Sequence, residues 1–385
     1  MTWRIVLIQE IIMGVIKRFL SAFLLALFVL AVVGCPEPPV PEYFTVTFDS
    51  DGGSEVESQS ILSGDMAREP EIPTKTGYVF ANWYSGNSLY DFSTPVTTDV
   101  VLTAKWWQPA GFVTVEGATV NGAVGTGNTA SQVFVADGSI TIPNLFVCDH
   151  EVTQEEYKLI MGTNPSYWNG LAGRETPEGE NQEKRPVEQV SWYAAIVYCN
   201  KLSIALGYDP CYAIAGKTNP VEWGEIPTES NDAWNNVTCD FEKSGFRLPK
   251  EAEWEYVARG GSAGIAGTQT VYSGSDNYDD VAWCKYNSGD NNTDENRKLH
   301  EVKKKNANAL EIYDMSGNVS EWCWDRWTNP LANPNPSYGP KHVTRGGNYD
   351  YDAGTSQINT RSEYLSMDAF AKDKLIGFRV VRTAQ

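Results

Sequence analysis

The residues of this 385-residue chain best suited to redox or metal chemistry are seven cysteines and three histidines. After Cys35 the cysteines are Cys148, Cys199, Cys211, Cys239, Cys284 and Cys323, and the histidines are His150, His300 and His342. None of the cysteines forms a C-x-x-C pair and the histidines are scattered, so the pattern disfavours a structural zinc site. Six cysteines allow many complete disulfide pairings, and their spacing does not choose among them.

A different chemistry is indicated after Arg345-Gly346-Gly347. The interval from there to Gly377 contains no cysteine and is rich in Tyr, Asp, Asn, Ser, Thr and Gly. Tyrosine offers a large amphipathic contact area at low entropic cost, and small polar residues adapt their hydrogen bonds, as in antibody loops. This composition favours binding over catalysis. An ordinary solvated loop would use the same small residues with fewer tyrosines.

The charge balance excludes several classes of partner. The chain has 30 Lys+Arg and 49 Asp+Glu, a formal net charge of −19. Nucleic-acid binding requires a basic face, and adsorption to anionic lipid requires basic clusters. The acidic balance argues against both, so we expect no nucleic-acid partner. The length predicts two or three domains, and a hydrophobic content of 42% argues against wholesale disorder.

Residues 1–35 have the pattern of an export signal. Lys17 and Arg18 precede an apolar run over residues 19–33, which is short for a membrane span. Residues 32–35 (Val-Val-Gly-Cys) resemble the lipobox of bacterial lipoproteins, which implies that Cys35 is acylated. The alternative is an ordinary cleaved signal with an incidental cysteine. The proline-rich residues 36–42 predict an extended spacer.

Residues 43–107 predict a small β module. Phe44, Val46 and Phe48 alternate with polar residues and lead into a turn at residues 51–53 (Asp-Gly-Gly). This start, with residues 77–84 (Gly-Tyr-Val-Phe-Ala-Asn-Trp-Tyr) and 104–106 (Ala-Lys-Trp), resembles the Listeria–Bacteroides repeat, also called the internalin B repeat. The resemblance implies a β-grasp-like fold. A spacer is favoured here over an independent ligand site.

Three helices are predicted in residues 110–385. Thr153 and Glu156 form a capping-box pattern for a helix that Gly162 ends. A second helix begins after Ser191 and runs to Leu206, and a third covers residues 251–259. Short apolar runs between Gly/Asn/Asp-rich turns account for the remainder, which indicates an α+β domain.

Four sequence blocks of this domain resemble the formylglycine-generating enzyme, or sulfatase-modifying factor, family. They are residues 245–256 (Gly-Phe-Arg-Leu-Pro-Lys-Glu-Ala-Glu-Trp-Glu-Tyr), 313–322 (Tyr-Asp-Met-Ser-Gly-Asn-Val-Ser-Glu-Trp), 345–347 (Arg-Gly-Gly) and 377–380 (Gly-Phe-Arg-Val). The resemblance spans nearly all of residues 110–385 and implies an elaborated C-type lectin fold. Lys250 departs from the Thr that is frequent there, which predicts a weaker helix cap.

The same resemblance bears on catalysis. Oxidases of the family use a copper-binding cysteine pair between the third and fourth blocks, and the matching positions here are Tyr351 and Ser356. Hydroxyl groups are poor substitutes for thiolate ligands of copper. The non-haem-iron relatives of the fold rely on a histidine cluster, which three scattered histidines do not predict. We therefore expect no enzyme activity and no redox cofactor. An enzyme with an altered site and a purely structural surface protein are the alternatives.

The C-terminal segment also resembles the variable proteins of diversity-generating retroelements, above all the treponemal variable lipoproteins. In that class a residue set that includes Tyr, Asp, Asn, Ser, Thr, Gly, Ala and Phe varies within the segment, here residues 345–385. The resemblance implies ligand-binding, variable positions at Tyr349, Asp350, Tyr351, Asp352, Thr355, Asn359, Tyr364, Asp368 and Phe370. Of these, Tyr349, Tyr351, Asp352 and Tyr364 are expected to face solvent.

The family resemblance gives roles to several further residues. Arg345, Arg361 and Arg379 match fixed scaffold positions, and Trp254 and Trp322 are expected in the core. Asn308 matches a calcium ligand of the family, so a structural calcium ion is an expectation, with a plain turn residue as the favoured alternative.

These observations lead to one hypothesis. The protein is a lipid-anchored bacterial surface or outer-membrane receptor that binds an extracellular protein or glycan through C-terminal loops of a C-type lectin fold.

The lipid anchor is directly testable. Replacing Cys35 with Ser removes the thiol that accepts the lipid, so the full-length protein should move from the detergent phase to the aqueous phase in a detergent partition assay. A Cys323→Ser variant is the control and should partition like the natural protein. Unchanged partitioning of Cys35→Ser would contradict lipidation.

Overall fold

The computed structural model describes residues 13–14, 40–125, 133–290, 296–327, 341–361 and 366–384. Cys35 and Tyr364 lie outside the described residues, so their lipidation and binding roles stay predictions. Across the described ranges, none of the helices combines the length and the apolar character needed to cross a bilayer.

The predicted β module is a five-stranded sheet in the order β2-β1-β5-β3-β4. Its strands are β1 (Tyr43–Asp49), β2 (Gln59–Leu62), β3 (Val79–Ser85), β4 (Ser88–Leu89) and β5 (Val100–Trp107). The alternation in β1 is confirmed, since Val46 and Phe48 are buried. Asp51 and Gly52 both have positive φ, 48° and 82°, as a tight type I′ turn requires. The Ser50 carbonyl closes this turn by accepting the Gly53 N–H at 3.0 Å.

The remaining described residues form small sheets and short helices. Their strands are β6 (Phe112–Val115), β7 (Ala118–Asn121), β8 (Ser139–Ile142), β9 (Leu145–Cys148), β10 (Tyr212–Ala213), β11 (Thr238–Cys239), β12 (Ala282–Trp283), β13 (Ser316–Gly317), β14 (Ser320–Arg326), β15 (Lys341–Arg345), β16 (Met367–Asp368), β17 (Ile376–Gly377) and β18 (Val381–Thr383). The α-helices are α1 (Gln154–Met161), α2 (Trp192–Ala205), α3 (Asp232–Asn235), α4 (Glu251–Ala258), α5 (Gly261–Ala266) and α6 (Tyr278–Val281). Short 3-10 helices occupy Gln182–Lys184, Pro220–Trp223 and Ala353–Ser356. The α+β prediction is confirmed.

The helix ends follow the local signals. Thr153 caps α1 in a capping box with Glu156, and Gly162 ends this helix at φ 80°. Ser191 caps α2 by accepting the Ala194 N–H at 3.2 Å. The weak cap predicted at Lys250 is compensated by a residue that is distant in sequence. The Asp325 carboxylate accepts the Glu251 N–H at 2.6 Å.

The strand β14 organises the centre of the domain. It lies antiparallel to β15 and parallel to β17 in the sheet β16-β15-β14-β17. Its Glu321 stands opposite Arg345 on β15 and opposite Gly377 on β17. Three of the four sequence blocks therefore meet at one residue of one strand.

Buried ion pairs hold these blocks together. The Arg379 guanidinium donates to both oxygens of Glu321 at 2.6–2.9 Å, and the indole of Trp254 donates to the same carboxylate at 2.7 Å. Arg345 donates to Glu251 at 2.8 Å and to Glu255 at 2.9 Å. Because the carboxylates of α4 bind the arginine of β15, the first block is fixed to the third.

The remaining scaffold predictions are consistent with this network. Trp254 and Trp322 are buried, as predicted. The Trp322 indole donates to the Val190 carbonyl at 2.8 Å. Arg361 is partly exposed and binds Glu251 at 2.8 Å, so a second arginine shares that carboxylate.

Candidate functional site

The C-terminal segment begins at a close backbone contact. Gly346 and Gly347 have φ of 92° and 71°, which favour glycine. A Cβ on Gly347 would lie 2.6 Å from the Ser356 Oγ and 2.7 Å from its backbone nitrogen. Ser356, one of the two positions that match the cysteines of the family oxidases, is fully buried against this glycine.

Tyr349 is the main correction to the predicted binding positions. We expected it to face solvent, but its side chain is 0% exposed and belongs to the main hydrophobic cluster. Its phenol oxygen accepts the Trp168 indole N–H at 2.8 Å, and its backbone N–H donates to Asn318 at 2.9 Å. Burial raises the pKa of Tyr349, so the phenol stays neutral. The prediction was wrong because the partner, Trp168, lies far away in sequence.

Tyr351 and Asp352, by contrast, do face solvent. Tyr351 is 41% exposed and is the other position that matches an oxidase cysteine. The backbone beneath it is fixed, because the Lys285 N–H donates to the Tyr351 carbonyl at 2.9 Å and the Ser288 hydroxyl donates to the Tyr349 carbonyl at 2.6 Å. The segment is thus anchored through its main chain while these two side chains point outward.

A neighbouring loop completes this surface. Lys285 lies 2.9 Å from the Asp352 carboxylate, the Tyr286 hydroxyl donates to the same carboxylate at 2.8 Å, and Arg297 lies 2.6 Å from Asp350. We call the set Lys285, Tyr286, Arg297, Asp350, Tyr351 and Asp352 the polar patch.

Lys285, Tyr286 and Arg297 of the polar patch are not among the residues that the sequence predicted. Residues 286–292 (Tyr-Asn-Ser-Gly-Asp-Asn-Asn) have the same Tyr/Asn/Gly/Asp composition as the predicted segment. This composition is a signal in the sequence for a second contact loop, whereas the family resemblance points only to the C-terminal segment.

The electrostatics of the polar patch suit recognition. The hydrogen bonds from Lys285 and Tyr286 hold the pKa of Asp352 below its ordinary value, and the hydrogen bond to Asp352 raises the pKa of Tyr286. The phenol therefore stays protonated and keeps its hydrogen bond to Asp352. The polar patch offers two aromatic rings and paired charges of both signs, but no thiol.

The other predicted binding positions are less exposed. Asp350, Thr355, Asn359, Asp368 and Phe370 are all half-buried. Phe370 packs against the main hydrophobic cluster, and Asp368 pairs with Lys341 in the β15–β16 ladder. These two contribute to the scaffold more than a freely variable position would.

The structure supports a turn role for Asn308. Its amide oxygen accepts the N–H groups of Leu310 at 2.9 Å and Ile312 at 3.3 Å, and its amide nitrogen donates to Val257 and Ser273. These contacts use the amide oxygen that would bind calcium, and they favour the turn role. Calcium binding at Asn308 stays a prediction.

One cluster of potential metal ligands occurs among the described residues, namely Cys148, Asp149 and His150. The Asp149 carboxylate already lies 2.6 Å from the Lys303 ammonium, and the His150 ring lies between Asp149 and Glu156. The negative charge is thus balanced within the protein, and we assign no metal there.

Glu188 is fully buried, and only one of its two carboxylate oxygens has a hydrogen-bond partner. One oxygen accepts the Trp168 N–H at 2.8 Å and the other has no hydrogen-bond partner. Burial raises the pKa of Glu188 to about 7. The Trp168 and Tyr167 N–H groups and the positive charge of Arg185 lower this pKa, but their effect is smaller than that of burial.

Comparison with known protein families shows which families this chain matches. The Sulfatase-modifying factor enzyme 1-like domain family matches residues 99–384, and the Listeria-Bacteroides repeat family matches residues 44–105. The chain belongs to the sulfatase-modifying factor family. Its fold is therefore the elaborated C-type lectin fold that the sequence blocks predicted, and the second match confirms the repeat.

Solved structures and curated relatives agree with this assignment. The structure of Treponema denticola variable protein 1 is 34% identical, with a TM-score of 0.57 over 71% of this chain and 95% of that chain. CarF is 26% identical, with a TM-score of 0.53 over 72% of this chain and 99% of that chain. The chaperone protein LppX of Paenibacillus barcinonensis is 34% identical over 66% of this chain and 85% of LppX. The formylglycine-generating enzyme of Streptomyces coelicolor is 32% identical over 30% of this chain and only 40% of the enzyme.

The contrast between Tyr349 and Tyr351 gives a matched pair of substitutions. Tyr349→Ala should lower the free energy of unfolding by about 3–5 kcal/mol, because it opens a cavity and leaves the Trp168 N–H unpaired. Tyr351→Ala should change it by about 0.5 kcal/mol or less, as at other exposed positions. Chemical denaturation of the two variants measures the difference. Equal losses would show that Tyr351 is also part of the core.

Glu188 predicts a pH dependence. Its pKa is higher in the folded state, about 7, than in the unfolded state, near 4.5. The folded protein thus binds the proton more tightly, and the stability present at low pH is lost as pH rises through this window, by about 2–3 kcal/mol. Glu188→Gln should remove this loss.

The measurement for Glu188 is denaturation at several pH values between 4.5 and 8. The difference in unfolding free energy between Glu188→Gln and the natural protein should change across the window. The exposed Glu229→Gln variant serves as the control, and its curve should run parallel to that of the natural protein. If the curve of Glu188→Gln also runs parallel to that of the natural protein, the pKa of Glu188 is not raised in the folded state.

Proposed function

We propose that this protein is a lipid-anchored bacterial surface receptor, which binds an extracellular protein or glycan through the polar patch without catalysis. One observation carries the proposal. At the two positions where the family oxidases have their cysteines, this chain has an exposed Tyr351 and a buried Ser356. An aromatic contact residue thus replaces a redox centre at the same place in the fold.

The anchoring of the segment supports recognition by side chains. Its main chain is held by Lys285 and Ser288, so exposed side chains can change without loss of the backbone path. Rigid presentation lowers the entropic cost of binding. Tyr286 and Tyr351 supply aromatic area beside charged groups, a combination enriched at interaction hot spots.

The similarity to the Treponema denticola variable protein supports variation of the segment by a diversity-generating retroelement. Such a system requires a near-identical DNA repeat with Asn codons beside a reverse-transcriptase gene. Sequencing the flanking DNA tests this part of the proposal. A single invariant copy across isolates would contradict it and leave a receptor of fixed specificity.

The similarity to LppX, which is named a chaperone protein, favours one second candidate, a chaperone, because the match covers 85% of that relative. A chaperone would suppress aggregation of a thermally unfolding reporter protein independently of the polar patch. An altered oxidase is the remaining alternative. Copper-dependent conversion of a cysteine peptide to formylglycine by the purified protein would establish it and refute the proposal.

The polar patch should carry the binding energy. On arrays of immobilised glycans and extracellular-matrix proteins, Tyr351→Ala and Tyr286→Ala should each lower affinity for a bound array component about 5- to 30-fold, because central aromatic residues dominate such interfaces. Both variants should melt like the natural protein. Tyr43→Ala, an exposed tyrosine in the β module, is the control and should bind normally.

Binding that survives both substitutions in the polar patch would place the site elsewhere. Absence of any bound component on the arrays would contradict the receptor function.

A further inference from the structure

Two of the six cysteines in the described residues lie side by side on neighbouring strands. The β10–β11 ladder pairs Tyr212 with Cys239, and the Asp240 N–H donates to the Cys211 carbonyl at 2.9 Å. Cys211 therefore lies opposite Asp240, one residue from the position opposite Cys239. Directly opposite residues of an antiparallel ladder have Cα atoms about 4.5–5.5 Å apart, so this offset keeps the two Cα atoms near the range of disulfides, about 4.4–6.8 Å.

The side chains also interact. The Cys211 thiol donates to the Gly245 carbonyl at 3.2 Å, and each of the two thiols shifts the pKa of the other. The hydrogen bond from Cys239 lowers the pKa of Cys211, burial opposes this, and the nearby Arg247 guanidinium lowers it further. Cys211 is thus suited to be the attacking thiolate.

We propose that the mature protein carries a Cys211–Cys239 disulfide, an inference that rests on the proposed export to an oxidising compartment. The oxidant is the disulfide of a thiol–disulfide oxidoreductase. The Cys211 thiolate attacks one of its sulfurs, which forms a mixed disulfide and expels the other sulfur as a thiolate. Cys239 then loses its proton, attacks the Cys211 sulfur and expels the remaining thiol. Two cysteine thiols are oxidised, and one external disulfide is reduced to a dithiol.

The disulfide would link the two ends of residues 214–237, the excursion that connects β10 to β11. This excursion carries the 3-10 helix Pro220–Trp223 and the helix α3, which meet where Trp223 and Trp234 contact edge to face at 5.7 Å. Both elements are too short to be stable alone. A cross-link across their base restricts the unfolded chain and stabilises the closed loop.

The excursion also forms one wall of a groove of about 410 Å³. Pro220, Val221 and Ile226 of the excursion line this groove together with Val197 on α2. The cross-link therefore sets the rigidity of a concave surface distinct from the polar patch.

The other four cysteines have different surroundings. Cys199 on α2 is fully buried and is the third thiol near the pair. Cys148 lies 3.7 Å from His150, Cys323 is fully buried in β14, and Cys284 is in a separate small cluster. Cys199 is thus the competitor that an experiment must distinguish.

The experiment uses the full chain in two preparations, one isolated from the cell envelope and one purified reduced and equilibrated with oxidised and reduced glutathione. Free thiols are alkylated without reduction, and peptides are mapped by mass spectrometry. We expect one cross-linked peptide pair that contains Cys211 and Cys239 and disappears on reduction, with Cys284 and Cys323 alkylated. Cross-linking of Cys199 to either residue, or alkylation of all six thiols in both preparations, would overturn the pairing.

Variants separate the bond from general instability. Oxidation should raise the melting temperature of the natural protein by several degrees and slow proteolysis within residues 214–237. Cys211→Ser/Cys239→Ser should lose both effects, whereas the matched control Cys284→Ser should retain them. The two preparations also separate the proposals. The bond in glutathione but not in the envelope preparation would support the pairing and contradict export to an oxidising compartment.

Discussion

The domain depends on buried arginine–carboxylate pairs. Burying an isolated charge costs several kcal/mol, so a buried arginine is stable only where a carboxylate is delivered to it with good geometry. Arg379 meets Glu321, Arg345 meets Glu251 and Glu255, and in each pair the partners come from different sequence blocks. The pairs thereby act as cross-links between elements that have little regular secondary structure of their own.

This constraint explains how a fold with such short strands can present a defined surface. Most strands of the domain contain two to five residues, too few to fix a register through backbone hydrogen bonds alone. The register at β14 is set instead by Glu321, which must face Arg379 and the Trp254 indole. Once β14 and β15 are fixed, the path of the segment after Gly347 is fixed as well.

Within that segment, neighbouring residues have opposite roles. Tyr349 packs inward against Trp168, and Tyr351, two residues later, faces solvent. A surface that tolerates exchange of side chains requires this division, because the residues that hold the loop cannot also be the residues that vary. Asp352 is also exposed, and its side chain binds Lys285 and Tyr286 of another loop.

The sequence by itself determined the features whose causes are local or belong to the family pattern. The caps at Thr153 and Ser191, the alternation of β1, the burial of Trp322 and the family of the domain could all be predicted. A capping box needs only four residues, and a signature block carries its fold with it.

Only the tertiary structure decided which side chains face one another across long sequence separations. The burial of Tyr349, the contribution of Tyr286 and Arg297 to the polar patch, and the proximity of Cys211 to Cys239 each depend on a partner in another element. Composition predicted a binding loop in this segment, but it could not tell an inward tyrosine from an outward one. Burial is a property of the packed neighbours, and the neighbours are set by the buried ion pairs and not by adjacent residues.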